Sequence, residues 1–125
     1  MAKCSAVSQF TRYLADEKIT KRLAKVNYAV VDVYRREDPS FIQGLYWDAE
    51  KRMLLESTGL YGQSKTQWLT IDDAQKTVRP QFTVDYPERF FGEGLSYLNA
   101  THWIELTWME RTVRLLDRDT LSETG

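Results

Sequence analysis

Cysteine and histidine are almost absent from this 125-residue chain, which holds one of each, Cys4 and His102. A single cysteine cannot close an intramolecular disulfide, and the pair cannot supply a Cys/His zinc set. No metal and no cofactor is therefore expected. An excess of one charge is missing too: 17 Lys and Arg against 18 Asp and Glu leave a formal charge of −1. That balance argues against nucleic acid or an acidic membrane as the main partner. No apolar run approaches the roughly 20 residues of a membrane-spanning helix. The leading Met1-Ala2-Lys3-Cys4-Ser5 runs into polar sequence without the apolar core of a signal peptide. As written, the chain is expected to stay in the cytoplasm.

Aromatic side chains, by contrast, are plentiful. Four Trp and seven Tyr contribute to an aromatic share of 13%, concentrated between Tyr28 and Trp108. Such a composition suits packed strands, or a pocket that reads organic surface. The first 27 residues differ from the rest, with six basic residues (Lys3, Arg12, Lys18, Lys21, Arg22, Lys25) and two acidic ones (Asp16, Glu17). Phe10 and Leu14, then Ile19, Leu23 and Val26, recur at helical spacing, so residues 1–27 read as a basic amphipathic extension with a helix within 6–26. A second domain, 28–125, is expected to be all-β. It opens with Tyr28-Ala29-Val30-Val31-Asp32-Val33-Tyr34, rich in β-branched and aromatic residues and read as a strand. Asp38-Pro39-Ser40 follows as a turn.

Two stretches then resemble each other. Gln43-Gly44-Leu45-Tyr46-Trp47, Met53–Thr58 and Thr66–Asp72 are matched in order by Glu93-Gly94-Leu95-Ser96-Tyr97, Trp103–Trp108 and Thr112–Asp117. Gly44 to Gly94 is an offset of 50, and so is Leu54 to Ile104. Asp72 to Asp117 is 45, because the first copy carries the longer connection Gly59-Leu60-Tyr61-Gly62-Gln63-Ser64. Short strands recurring at a period near 50 mark propeller blades, and neither copy has room for a helix. The fold expected is thus a partial β-propeller of about two blades behind a helical extension. Blades bury their faces against neighbours. Leu106, Trp108, Val113 and Leu115 are then candidates for an uncovered face, through which the chain could self-associate.

Asp38-Pro39-Ser40-Phe41-Ile42-Gln43-Gly44-Leu45, Glu56-Ser57-Thr58-Gly59-Leu60-Tyr61-Gly62-Gln63-Ser64, Phe91-Gly92-Glu93-Gly94-Leu95, Leu106-Thr107-Trp108 and Asp117-Arg118-Asp119-Thr120-Leu121 follow in order along the chain. Together they resemble the glutaminyl-peptide cyclotransferases of plants and bacteria, over residues 28–121. No counterpart is recognised for residues 1–27. The resemblance implies a five-bladed propeller and an enzyme that converts the N-terminal glutamine of peptides or proteins to pyroglutamate with release of ammonia. It places the catalytic glutamate on Glu93 and substrate-binding residues on Phe41, Gln43 and Trp108. The family's asparagine, lysine and further tryptophans would lie beyond Gly125. Plant members of the family are secreted.

Cyclisation needs a group that takes a proton from the α-amine and returns one to the departing nitrogen, which a carboxylate does when its pKa sits near working pH. Burial among aromatics would raise that pKa. Glu93 lies between two glycines, where a substrate could approach closely. Gln43 and Glu93 occupy equivalent places just before Gly-Leu, so adjacent blades would bring them to one channel mouth. Each residue also has a plainer reading. Glu93 could be a turn residue facing solvent beside an arginine, and Phe41 and Trp108 could be core. Glu56-Ser57-Thr58 has no histidine near it in sequence to make a nucleophile. Asp117 and Asp119 lack the ligand series of a calcium loop and read as a capped turn. The rival function is a non-catalytic binding or scaffold module.

Overall fold

The computed structural model describes residues 29–125. The helix expected within 6–26 lies outside them, as does the whole extension 1–27. The chain divides into two units, Met1–Val33 and Tyr34–Gly125, and the architecture below is that of the second. Among the described residues all regular structure is β: β1 (Arg35–Arg36), β2 (Ile42–Asp48), β3 (Met53–Thr58), β4 (Lys65–Asp72), β5 (Thr77–Asp85), β6 (Gly92–Asn99), β7 (His102–Thr107) and β8 (Val113–Asp117). One sheet runs β1-β5-β4-β3-β2 and the other β6-β7-β8. Both are antiparallel meanders, except that β1 lies parallel on the edge of β5. Beyond β8, Thr124 N–H donates to Leu115 O and Leu115 N–H to Gly125 O, which continues pairing along that edge.

The expected strand over 28–34 does not form across its described part, because β1 starts only at Arg35. Val30, Val31 and Val33 are largely exposed. β-propensity is a preference for a pleated, half-buried surface, and the pairing with β5 reaches no further back than Arg35. Conversely, β5 is a strand that the repeat did not announce. It contains Pro80, which cannot donate to a ladder. Pairing passes from Trp68 with Phe82 to Leu69 with Pro80, so a bulge absorbs the proline.

The repeat is real, with one adjustment. Leu45 pairs with Glu56 and Leu95 with Glu105, so the true counterpart of Glu56 is Glu105 and that of Leu54 is Trp103, not Ile104. The hairpin turn is shorter in the second copy, since His102 pairs with Asn99 where Met53 pairs with Asp48. Aspartates cap three strand-ending turns, and the expectation of a capped turn at Asp117 is met. Asp48, Asp72 and Asp117 each accept from main-chain N–H groups two and three residues on. The turn hydrogen bonds hold the Asp117 carboxyl below its ordinary value, those from Thr120 most of all.

Alternation along the strands points one side of each sheet at the other. Leu55 and Trp68 from the first sheet pack with Trp103 and Leu116 from the second, joined by Leu121. Tyr46 meets Trp103 edge-on at 5.0 Å, and Trp68 meets it at 5.7 Å. The core is therefore the junction between the sheets. Ile104, Leu106, Val113 and Leu115 lie on the opposite side of the second sheet. Leu106 and Val113 are 49% and 50% exposed, and Leu115 is half-buried. Trp108, just past β7, is exposed as well.

Candidate active site

β2 and β6 run side by side where the two sheets meet. A Cβ on Gly44 would stand 2.6 Å from Leu95 N and 3.2 Å from Gly94 C. Only glycine lets the two backbones come so close. Each strand breaks its register at the equivalent point. Pairing skips from Ile42 to Gly44 in β2 and from Gly92 to Leu95 in β6. Gln43 and Glu93 both fall inside these bulges, which release a residue from the ladder and re-aim its side chain. Both are half-buried.

The first sheet holds the main chain on either side of Glu93. Ser57 donates its hydroxyl to Glu93 O, and Ser64 Oγ accepts from Gly92 N–H at 3.0 Å. Both serines are almost wholly buried. Ser57 is thus a strut, in keeping with the absence of a neighbouring histidine. The two glycines beside Glu93 do different work. Gly92 packs against Thr58 O and the Tyr86 ring, where a Cβ would lie 2.8 Å from Tyr86 Cε2. Gly94 has nothing within 4 Å of its missing Cβ. The residue before the glutamate is thus packed, and the one after it has room for a side chain.

Phe41 and Trp108 come together through a residue that the sequence did not single out. Phe91 contacts Phe41 at 6.2 Å, Tyr61 at 5.5 Å and Trp108 at 5.3 Å between ring centroids. Main-chain bonds fix this cluster: Gly59 N–H donates to Phe41 O at 2.8 Å and Trp108 N–H to Phe91 O at 3.0 Å. A Cβ at Gly59 would collide with the Phe91 ring. Because Phe91 precedes Gly92 and Glu93, the aromatic cluster and the glutamate share one strand entrance. The signal was present in the run Phe91-Gly92-Glu93, but chain position alone did not separate a pocket phenylalanine from a core one.

Two further glutamates, Glu105 and Glu56, are fully buried. Glu105 accepts from Thr66 Oγ1, from Tyr86 OH at 2.5 Å and from Arg114 Nη1 at 3.1 Å. Burial pushes the Glu105 carboxyl up, against the pull of those donors. Burial, with the Glu105 charge beside it, pushes the Tyr86 phenol up as well. Its counterpart Glu56 receives both Nη atoms of Arg36, and Gln67 Nε2 at 2.9 Å. All the oxygens of these two glutamates are engaged within the protein: Glu105 ties the two sheets together, and Glu56 braces β1, β3 and β4 within the first. At the other end of the junction, Arg118 donates to Asp48 at 3.2 Å and to Glu50 at 2.7 Å.

A sequence model described as glutamine cyclotransferase matches residues 2–125. The chain belongs to that family, and the match takes in most of the leading segment for which no counterpart was recognised. The family is one of acyltransferases. No curated protein matches the chain.

Proposed function

We propose that this protein is a glutaminyl-peptide cyclotransferase that turns the N-terminal glutamine of peptides into pyroglutamate and releases ammonia. In this reading the two sheets are successive blades of a five-bladed β-propeller, with β2 and β6 as inner strands. The observation that carries it is the pair of equivalent bulges, which put Gln43 and Glu93 on touching inner strands beside the Phe41–Phe91–Trp108 cluster.

Glu93 acts as the proton shuttle. The neutral α-amine nitrogen attacks the carbon of the substrate's own γ-carboxamide, and an N–C bond forms. Glu93 takes the proton that the nitrogen sheds and hands it to the amide nitrogen, whereupon that C–N bond breaks and ammonia leaves. The ring is then a lactam, and no further co-reactant is consumed. The carboxamide of Gln43 offers a donor and an acceptor to the substrate amide. Phe41 and Trp108 supply flat apolar surface for the glutamine chain. Gly94, with open space beside it, lets the substrate reach the carboxylate. Incubation with a Gln-initiated peptide should release ammonia, and the same peptide with an acetylated α-amine should release none. Ammonia from the acetylated peptide would mean simple amide hydrolysis and overturn the proposal.

A second reading concerns partners. Leu106 and Val113 form an exposed apolar side of a sheet whose other side packs on the first sheet. Leu45 and Trp47, also exposed, correspond by the repeat to Leu95 and Tyr97, which face the first sheet. The contact already made once inside the chain can therefore be made again between copies, head to tail.

A further inference from the structure

The geometry points to Tyr61 as a positioning residue of the proposed site, latched across the two sheets by Glu110. The inference rests on the reading of Phe41 and Trp108 as substrate surface. Tyr61 sits in the connection between β3 and β4, and Glu110 in the connection between β7 and β8. The Tyr61 hydroxyl donates to Glu110 Oε1 at 2.6 Å. That bond holds the Glu110 carboxyl below its ordinary value and pushes the Tyr61 phenol up. The Tyr61 ring meets Phe91 edge-on, with an interplanar angle of 69°, and Phe91 in turn touches both Phe41 and Trp108. With its hydroxyl fixed, the ring acts as a stop behind the cluster.

The loop that carries Tyr61 is built to hold this pose. Leu60 adopts φ +94°, a conformation that a branched residue keeps only when its surroundings impose it. Gly62 follows at φ +71°. Gln63 N–H and Ser64 Oγ both donate to Leu60 O, at 3.0 and 2.8 Å, and Gly62 N–H donates to Glu88 O at 3.2 Å. The same Ser64 hydroxyl accepts from Gly92 N–H. One strained loop thus fixes both the aromatic cluster and the strand of Glu93. Strain held in this way accumulates at sites that must be preorganised. Neither Tyr61 nor Glu110 touches the reacting atoms in this scheme. Both act through Phe91.

Two readouts separate the latch from the substrate reading. Without substrate, iodide quenching of the Trp108 emission, taken as the signal lost in Trp108→Phe, should rise in Tyr61→Phe and in Glu110→Ala. Glu110→Gln, whose amide oxygen still accepts from the phenol, should stay near wild type. With a Gln-initiated peptide, Tyr61→Phe and Glu110→Ala should each raise KM by about tenfold with kcat little changed, the loss expected of one charge-assisted hydrogen bond. The double variant should be no worse than either single one. Unchanged quenching in Tyr61→Phe overturns the latch whatever the substrate does. Additive effects of the two substitutions would overturn it too. If quenching rises while neither Tyr61→Phe nor Trp108→Ala alters KM, the latch stands and the substrate surface lies elsewhere.

Discussion

Glycine carries two opposite jobs within three positions of the proposed centre. A Cβ on Gly44 would press on Ser57 Oγ, Leu95 N and Gly94 C, whereas one on Gly94 would meet nothing within 4 Å. Gly44→Ala should therefore cost about 1–3 kcal/mol of stability, as overpacking of a tight contact does. Gly94→Ala should leave urea unfolding within about 0.5 kcal/mol of wild type and yet depress turnover, since its methyl enters the approach to Glu93. Equal stability losses in the two variants would contradict this division. Glu105 gives a test in pH. Burial holds its proton above the ordinary 4.5, so the folded state keeps a proton that the unfolded chain releases. Its contribution is full below that ordinary value and is lost as pH rises through the raised one. The stability difference between wild type and Glu105→Gln should shift against wild type as pH rises in that window, and a shift the other way would refute the raised pKa. At this scale the sequence was readable only in part. Glu93 and Gln43 stood out because motifs resembling those of the cyclotransferases fall on them and the repeat aligns them. Ser57 and Ser64 did not, because their partners lie 36 and 28 residues away and a hydroxyl has no periodic signature.

Strands of the two repeats were legible from alternation and turn residues, and β2 to β4 and β6 to β8 fall within a residue or two of their expected bounds. β5 was hidden by Pro80, whose cost a bulge removes, and 29–34 looked like a strand by composition but pairs nowhere as a described strand. The bulges in β2 and β6 were invisible in the sequence, yet they free Gln43 and Glu93 from the ladder. Ser57 joins β3 to β6 next to one of them. Ser57→Ala leaves Glu93 O without its donor, so about 1 kcal/mol of stability should go. Turnover should fall further than stability explains, because a displacement near 1 Å at a reacting group can cost about a hundredfold. A variant as active as wild type but equally destabilised would show that the bond serves folding alone.

At the scale of the whole molecule, packing between sheets explains both the core and the exposed side. Trp103 is fully buried because the first sheet covers it, while Leu106 on the reverse of the same strand is half exposed. Sedimentation at rising protein concentration should show self-association that Leu106→Lys abolishes without loss of fold. A wild-type monomer at all concentrations would remove the head-to-tail contact. The proposed site would inherit its place from the same packing. β2 and β6 meet, their bulges coincide, and the aromatic cluster of Phe41, Phe91 and Trp108 lies next to the β6 bulge in the chain. The decisive measurement is the rate of pyroglutamate formation from a Gln-initiated peptide by wild type and by Glu93→Gln, with both proteins shown to be folded by circular dichroism. Ammonia release by the wild type and a loss of at least about a hundredfold in kcat for the variant is the expected result. Turnover that survives the substitution unchanged would contradict the central claim.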